Sequence, residues 1–597
     1  MRSAMRTPYM DDQRGFALES TLIVLLLMST LAVIAFAGAV TNIRTTNIDY
    51  RNARVGYAAE AGAEGIMAQL DVQLNDGVLT DPELAALTPP VLPGFTVDSF
   101  RATKVGGVVQ EPITQGPFTG MYALTQNIDI YSAVRDASND RSAVIVTVKA
   151  QAIPIFQFAA FWEGDFEDYA WPRKDVWGRV HGNGNLYVAG NDLHFHDVMT
   201  TPGKVRRDPK NSHGGPGNVY ISNAAGVDVL LDFDSETVPN AAAFRAQSDA
   251  KFDGRLQTDA YGVDSLKLPI PAGIPPRELI RPREVGDTPE EQEAKFAWQA
   301  DMYVTVDLNT SSTKGAQCGS GSTATHPVMT VVRYDGGPLP SSVDKCDIFE
   351  FKYQAFWDNF QDNWIDPLTV DMTKLRTWLT SGGGSAGPKP DVIYVEFKPR
   401  VGSPFSGTSG NAPSDGAYYP ALRLKNGSLL YGRLTIGSEY PLYVRGNYNN
   451  TSPRKPAATF GDALTMLSND WDDANCAVAN CSVPGTGSNT YQWYGLVTGT
   501  GEGYWGCWHH TCSPPAGGGA GWVRMLEAWG GTLSFWRGSF VSLWGPVKTC
   551  VSCPSSGSYT APTRDWSFDP MFLKPDSLPP ATPVVGNVIH TAFRPVY

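Results

Sequence analysis

The chain has 597 residues, of which 18% are charged, and a formal net charge of −13, a balance that argues against a general nucleic-acid binder. Its 60 glycines and 44 prolines stay below the roughly 25–30% that marks low-complexity disorder. With 42% hydrophobic residues and 16 tryptophans there is material for more than one core, and the turn-rich, aromatic-rich texture reads as α+β, mostly β, with long loops.

The first element is an apolar helix. Thr21–Val40 carries no charge. At about 1.5 Å per residue such a run spans roughly 30 Å, the hydrocarbon core of a bilayer. It exceeds the about 7–15 residues of a secretory signal core, although Ala35, Ala37 and Ala39 imitate a small-residue cleavage site. No proline occurs from Phe16 to Thr80, and Ile43, Ile48, Val55, Ala58, Ala59, Ala63, Ile66 and Leu70 continue a broken apolar stripe. One long helix over 16–72 is therefore expected. An ionised Glu19 costs up to about 2.5–3.5 kcal/mol near a bilayer centre, so it calls for a partner.

The residues Arg14-Gly15-Phe16-Ala17-Leu18-Glu19 ahead of this helix resemble the leader of type IV pilins. In that family prepilin peptidase cuts after the glycine on the cytoplasmic side, and the new N-terminus is often N-methylated. The resemblance implies a leader over 1–15, scission between Gly15 and Phe16, and an assembly role for Glu19 in neutralising the terminal amine of a neighbouring subunit. One departure stands out. Glu19 would be the fourth residue of the processed chain, where pilins carry glutamate fifth; Ser20 takes the fifth place. Tyr57–Glu64 is similar to the second half of the PilX-type minor-pilin helix.

Further along, polar 73–95 leads to two alternating runs, Tyr122–Tyr131 and Ser142–Ala150, around a turn with Asp136, Asn139 and Asp140. With the helix they suggest a small pilin-like antiparallel sheet within 73–152. From Ile153 short apolar triplets separate Gly-Asn turns, as in Val176–Val188 and Asn218–Ile221. That texture suits the rungs of a solenoid-like, β-rich head, divided here into 153–390 and 391–597. A helix is expected over Pro289–Met302, capped by Thr288, and Asp391–Phe397 reads as a buried strand after the Gly/Ser/Pro linker 381–390. The segments 424–432, 441–448, 463–471, 525–529, 535–540, 564–570 and 578–583 resemble, in that order, the C-terminal region of bacterial pilus assembly proteins with a PilX N-terminal domain. That family supplies no biochemical activity to carry over.

Eight cysteines, Cys318, Cys346, Cys476, Cys481, Cys507, Cys512, Cys550 and Cys553, all lie beyond the anchor. An even number on an exported side reads as disulfides, and neighbours in sequence are the natural pairs, though spacing leaves the connectivity open. A zinc site from Cys507, His509, His510, Cys512, Cys550 and Cys553 is the competing reading. His181, His194 and His196 with Asp192 and Asp197 offer a second metal arrangement, and Asp472-Asp473 or Asp362 near Trp364 a carbohydrate-cleaving one. Structural roles are commoner for each, and no catalytic, cofactor or metal residue is assigned.

The resemblance implies a structural, non-enzymatic role without a cofactor: a large minor pilin or pseudopilin. It would sit in the inner membrane by its helix, with the head in the periplasm and then on a pilus or cell surface. Partners would be other pilins and prepilin peptidase. The alternative is a membrane-anchored extracytoplasmic carbohydrate-binding protein or hydrolase unrelated to a filament.

Overall fold

A computed structural model describes residues 16–74, 79–170, 173–210, 217–268, 270, 273–318, 323–333, 345–361, 363–381, 388–399, 419–499, 523–549 and 559–596. Helix α1, Phe16–Gln73, is one uninterrupted element of 58 residues. Its second half lies on an antiparallel sheet formed by β1 (Phe95–Pro112), β2 (Tyr122–Asp136) and β3 (Arg141–Pro154). Strict alternation in β2 and β3 puts Ile128, Ile130, Val134, Val144, Val146 and Val148 on the face that meets Ala59, Ala63, Ile66 and Leu70. The β2–β3 turn is closed by Asp136, whose carboxylate accepts from the backbone N–H groups of Ser138 and Asp140. Asn139 supplies the left-handed residue at φ +67°, a conformation that asparagine tolerates better than most.

The fourth strand of this sheet is the last one in the chain. Val584–Val596 runs antiparallel to β3, with Pro154 opposite Val584 and Ala143 opposite Val596. The sequence alone places 584–596 in the second part of the head; its backbone hydrogen bonds place it in the antiparallel sheet under α1. Everything from Ile155 to Pro583 is thus an insertion between two neighbouring strands.

The inserted head is a solenoid. One wall stacks Met302–Thr313, Val392–Lys398, Leu434–Ser438, Ala457–Gly461, Thr490–Gly499 and Leu533–Trp544 as successive parallel strands. It continues, out of chain order, through Ala160–Trp162, Val180–Gly182, Met199–Thr200 and Leu256–Gln257. In this later part of the stack each turn has three walls, and the strands beginning at Ala160, Val180 and Met199 give a period of about twenty residues. In the other part the second wall is Asn363–Asp371, Tyr419–Gly427, Leu442–Tyr448, Leu464–Leu467 and Arg524–Met525.

Because Leu256–Gln257 and Met302–Thr313 lie at opposite ends of the shared wall, the chain between them must travel back along it. At about 4.8 Å per strand that path is roughly 40 Å. The returning strap lays Leu266, Leu268, Leu279, Ile280, Phe296 and Ala297 over Tyr394, Phe460, Val497 and Val541. The wall is therefore buried on both faces, which is why Leu434–Ser438 and Ala457–Gly461 are buried at every position. The expected helix at 289–302 is shorter, Pro289–Ala294, with Thr288 and Glu291 forming a reciprocal cap. Lys295 ends it by turning into the interior, where its ammonium pairs with Glu278 and Asp287.

Candidate functional site

The candidate site begins where the described structure begins. Gly15 lies outside the described residues; Phe16 is the first residue of α1, and Glu19 sits exposed in its first turn. From Ala17 to Tyr50 no described side chain of the helix is buried, and Leu18, Leu22, Leu25, Leu31, Ile34 and Phe36 are all exposed. Within Ala17–Leu70 the helix is long and apolar enough to cross a membrane, and no part of its most apolar stretch is buried.

Burial starts abruptly at Val55. Arg51 and Arg54 mark the boundary by pairing with Asp140 and Asp136 at the β2–β3 turn, and the Arg54 guanidinium also lies 5.1 Å above the Phe95 ring. Beyond it, Ala58, Ala59 and Ala63 let the helix approach the sheet closely. A Cβ on Gly62 would stand 2.4 Å from Ser132 Oγ, so a side chain here forces that hydroxyl aside; the constraint is proximity rather than the dihedral angle. The small-residue run 57–64 is thus a docking face, and the apolar run 21–40 is a free one.

The histidines grouped in the sequence are separated. His181 is fully buried among Phe118, Phe158 and Phe161. Asn183 donates its amide to Glu163 and to the Leu266 carbonyl, so its oxygen faces His181 Nε2, which must donate at 2.9 Å. Nδ1 then accepts from Thr200 at 2.8 Å. Burial pushes the His181 pKa down to about 4 and that of Glu163 up to about 7.

His194 and His196 belong to another wall, where Lys174–Val176, Leu193–Phe195 and Val219–Ser222 stack in parallel. His194 lies 2.7 Å from both Asp228 and Asp192, while His196 bridges Ser222 and Asp175, each at 2.8 Å. Trp177 and Tyr220 stack on the outer faces of the two imidazoles. Arg173, and after it His196, hold the Asp175 carboxyl down at about 2, against the opposing effect of burial. Asp197 accepts from the Val198 N–H. Every ring nitrogen of His194 and His196 is engaged by a carboxylate or a hydroxyl, so the ladder ties successive rungs together.

The remaining candidates resolve similarly. Asp472 caps a short 3-10 turn, and Asp473 takes Arg423 at 2.6 Å and the Trp471 indole N–H at 2.8 Å. Both carboxylates are consumed by structure; Asp362 lies outside the described residues. Cys318 is bonded to Cys346 and Cys476 to Cys481. Cys507, Cys512, Cys550 and Cys553 lie outside the described residues, as does the zinc arrangement built on them. The head joins the sheet through Gln157, whose amide exchanges two hydrogen bonds with the Tyr122 backbone, and Arg179, which reaches the Pro117 and Thr119 carbonyls. Nothing in the local sequence marks these two as junction residues.

No known family profile matches the chain, and no curated protein matches it. Among solved structures, the competence-associated pilin ComZ from Thermus thermophilus is similar over 92% of this chain and 98% of its own, at 10% identity and a TM-score of 0.25. An overlap that loose defines neither fold nor function.

Proposed function

We propose that this chain is a structural subunit of a type IV pilus or a related secretion pseudopilus, a large minor pilin that displays a solenoid head. The observation that carries the reading is the division of α1 at Arg54, with an unpacked apolar half before it and a half bedded on a four-stranded antiparallel sheet after it. Such a helix has two uses for one surface. It anchors the precursor in the inner membrane, and after processing it bundles with the same segment of other pilins. Because the segment passes from lipid into the bundle, close side-chain packing rather than removal from water holds it there. Glu19, exposed one turn from the new N-terminus, is placed to meet the terminal amine of a neighbour. The head favours a terminal position, because a body of over four hundred residues between β3 and the last strand would crowd a repeating shaft.

Processing tests this. Co-expression with prepilin peptidase should yield a chain starting at Phe16 in intact-mass spectra, and Gly15→Ala should block the cut. A wild-type chain that stays uncut favours the anchored carbohydrate-binding or hydrolytic alternative.

A further inference from the structure

Strand Met302–Thr313 and its antiparallel partner Thr325–Arg333 close one end of the shared wall. The short helices Lys314–Cys318 and Lys345–Ile348 bring Cys318 and Cys346 together beside His326, which stands opposite Ser312. A ring nitrogen of His326 and the two Sγ atoms lie within 4.8 Å of one another. The imidazole is 2% exposed. Its Nδ1 lies 2.8 Å from the Pro327 carbonyl oxygen, which can only accept, so Nδ1 carries the hydrogen and Nε2 the lone pair. Nε2 is buried and has no hydrogen-bond partner among the described residues. A buried acceptor left bare is destabilising, and the disulfide does nothing to offset it.

We propose that the dithiol form of this cluster is a soft-metal site, in which Cys318 Sγ, Cys346 Sγ and His326 Nε2 hold one zinc-like divalent cation, and that disulfide formation abolishes it. An N–H donated to a backbone carbonyl is the bond that orients a metal-ligating imidazole. With Zn–S near 2.3 Å and tetrahedral angles, two thiolates stand about 3.8 Å apart, a separation within the reach of this cluster. Three protein ligands leave the fourth position for water.

The step balances by thiol–disulfide exchange. An external dithiol is oxidised to its disulfide, its two electrons open the Cys318–Cys346 bond, and both new thiols lose their protons as the cation binds. A disulfide of the same class reverses the reaction and releases the cation.

The test uses the full chain in detergent, reduced with dithiothreitol, freed of it without oxygen and titrated with Co²⁺. Sulfur-to-cobalt charge-transfer and tetrahedral visible bands are expected for one equivalent. They should be lost in Cys318→Ser and Cys346→Ser, kept in Cys476→Ser, and shifted to at least about tenfold higher cobalt concentration in His326→Gln. Zn²⁺ should also slow reoxidation of Cys318–Cys346 in the wild type, read by peptide mapping, while leaving Cys476–Cys481 unaffected; this arm needs no variant to fold. Cobalt bands unchanged by the Cys318 and His326 substitutions, or a Cys318–Cys346 reoxidation rate indifferent to Zn²⁺, would overturn the proposal.

Discussion

Pro154 and Val584 face each other on adjacent antiparallel strands, although the entire head separates them along the chain. The helix-and-sheet unit is therefore complete only when the last strand has returned. Replacing 155–583 with a short turn between these two positions should leave a folded four-stranded unit, seen as protected amide exchange in β2 and β3. Deleting 584–596 instead bares the β3 edge and the Val585 pocket, and should give an aggregating, unprotected sheet. Equal protection in both variants would contradict the insertion.

Gly62 tests the docking face of α1. A side chain there meets Ser132 Oγ at 2.4 Å, with Leu92 next nearest. Gly62→Val should destabilise by about 1–3 kcal/mol through overpacking, despite replacing glycine within a helix. Gly38, with nothing near its Cβ position, provides the control, and Gly38→Ala should leave thermal unfolding unchanged. If Gly62→Val also unfolds at the wild-type temperature, the close approach is not required.

His181 and Glu163, both held by Asn183, impose opposite pH dependences. His181 falls from 6.5 to about 4, so the unfolded chain takes up the proton first, and stability present above 6.5 is lost as pH falls toward 4. The difference amounts to about 3 kcal/mol at most. Glu163 rises from 4.5 to about 7, so its contribution is present below 4.5 and lost as pH climbs through 7. Glu163→Gln keeps an acceptor for Asn183 and should gain stability relative to wild type above pH 7, with no gain below 4.5. Urea midpoints between pH 4 and 8 will show this; a uniform offset at every pH would not fit.

Phe296 holds the returning strap to the wall, stacked 4.3 Å from Phe460. Phe296→Ala should cost about 3–5 kcal/mol at this buried site. The loss should appear first as proteolytic cleavage within 263–297, before cleavage of the wall strands themselves. Simultaneous cleavage of both would mean that strap and wall unfold together.

Much of the local structure was legible before any fold was known. The unbroken helix follows from an absence of proline over 16–80 and an apolar stripe that, though broken, runs on past the charge-free stretch. The β2–β3 hairpin follows from alternation around Asp136, Asn139 and Asp140, and the Thr288 cap from its spacing to Glu291. The His194 and His196 faces were also visible as alternate residues of one strand. Their partners Asp175, Asp228 and Ser222 were not, because each arrives from a different rung.

What the sequence by itself determined is therefore what depends on neighbours in the chain: helix length, strand alternation, caps, and the charge-free apolar run 21–40. Tertiary structure alone decided the return of Val584–Val596 to β3, the docking of Ala160–Trp162 on Leu533–Trp544, and the place of His326 beside Cys318 and Cys346. The physical reason is the same in the first two cases. Parallel stacking and strand insertion are specified by backbone hydrogen bonds between segments hundreds of residues apart, and those bonds leave no periodic mark on either segment.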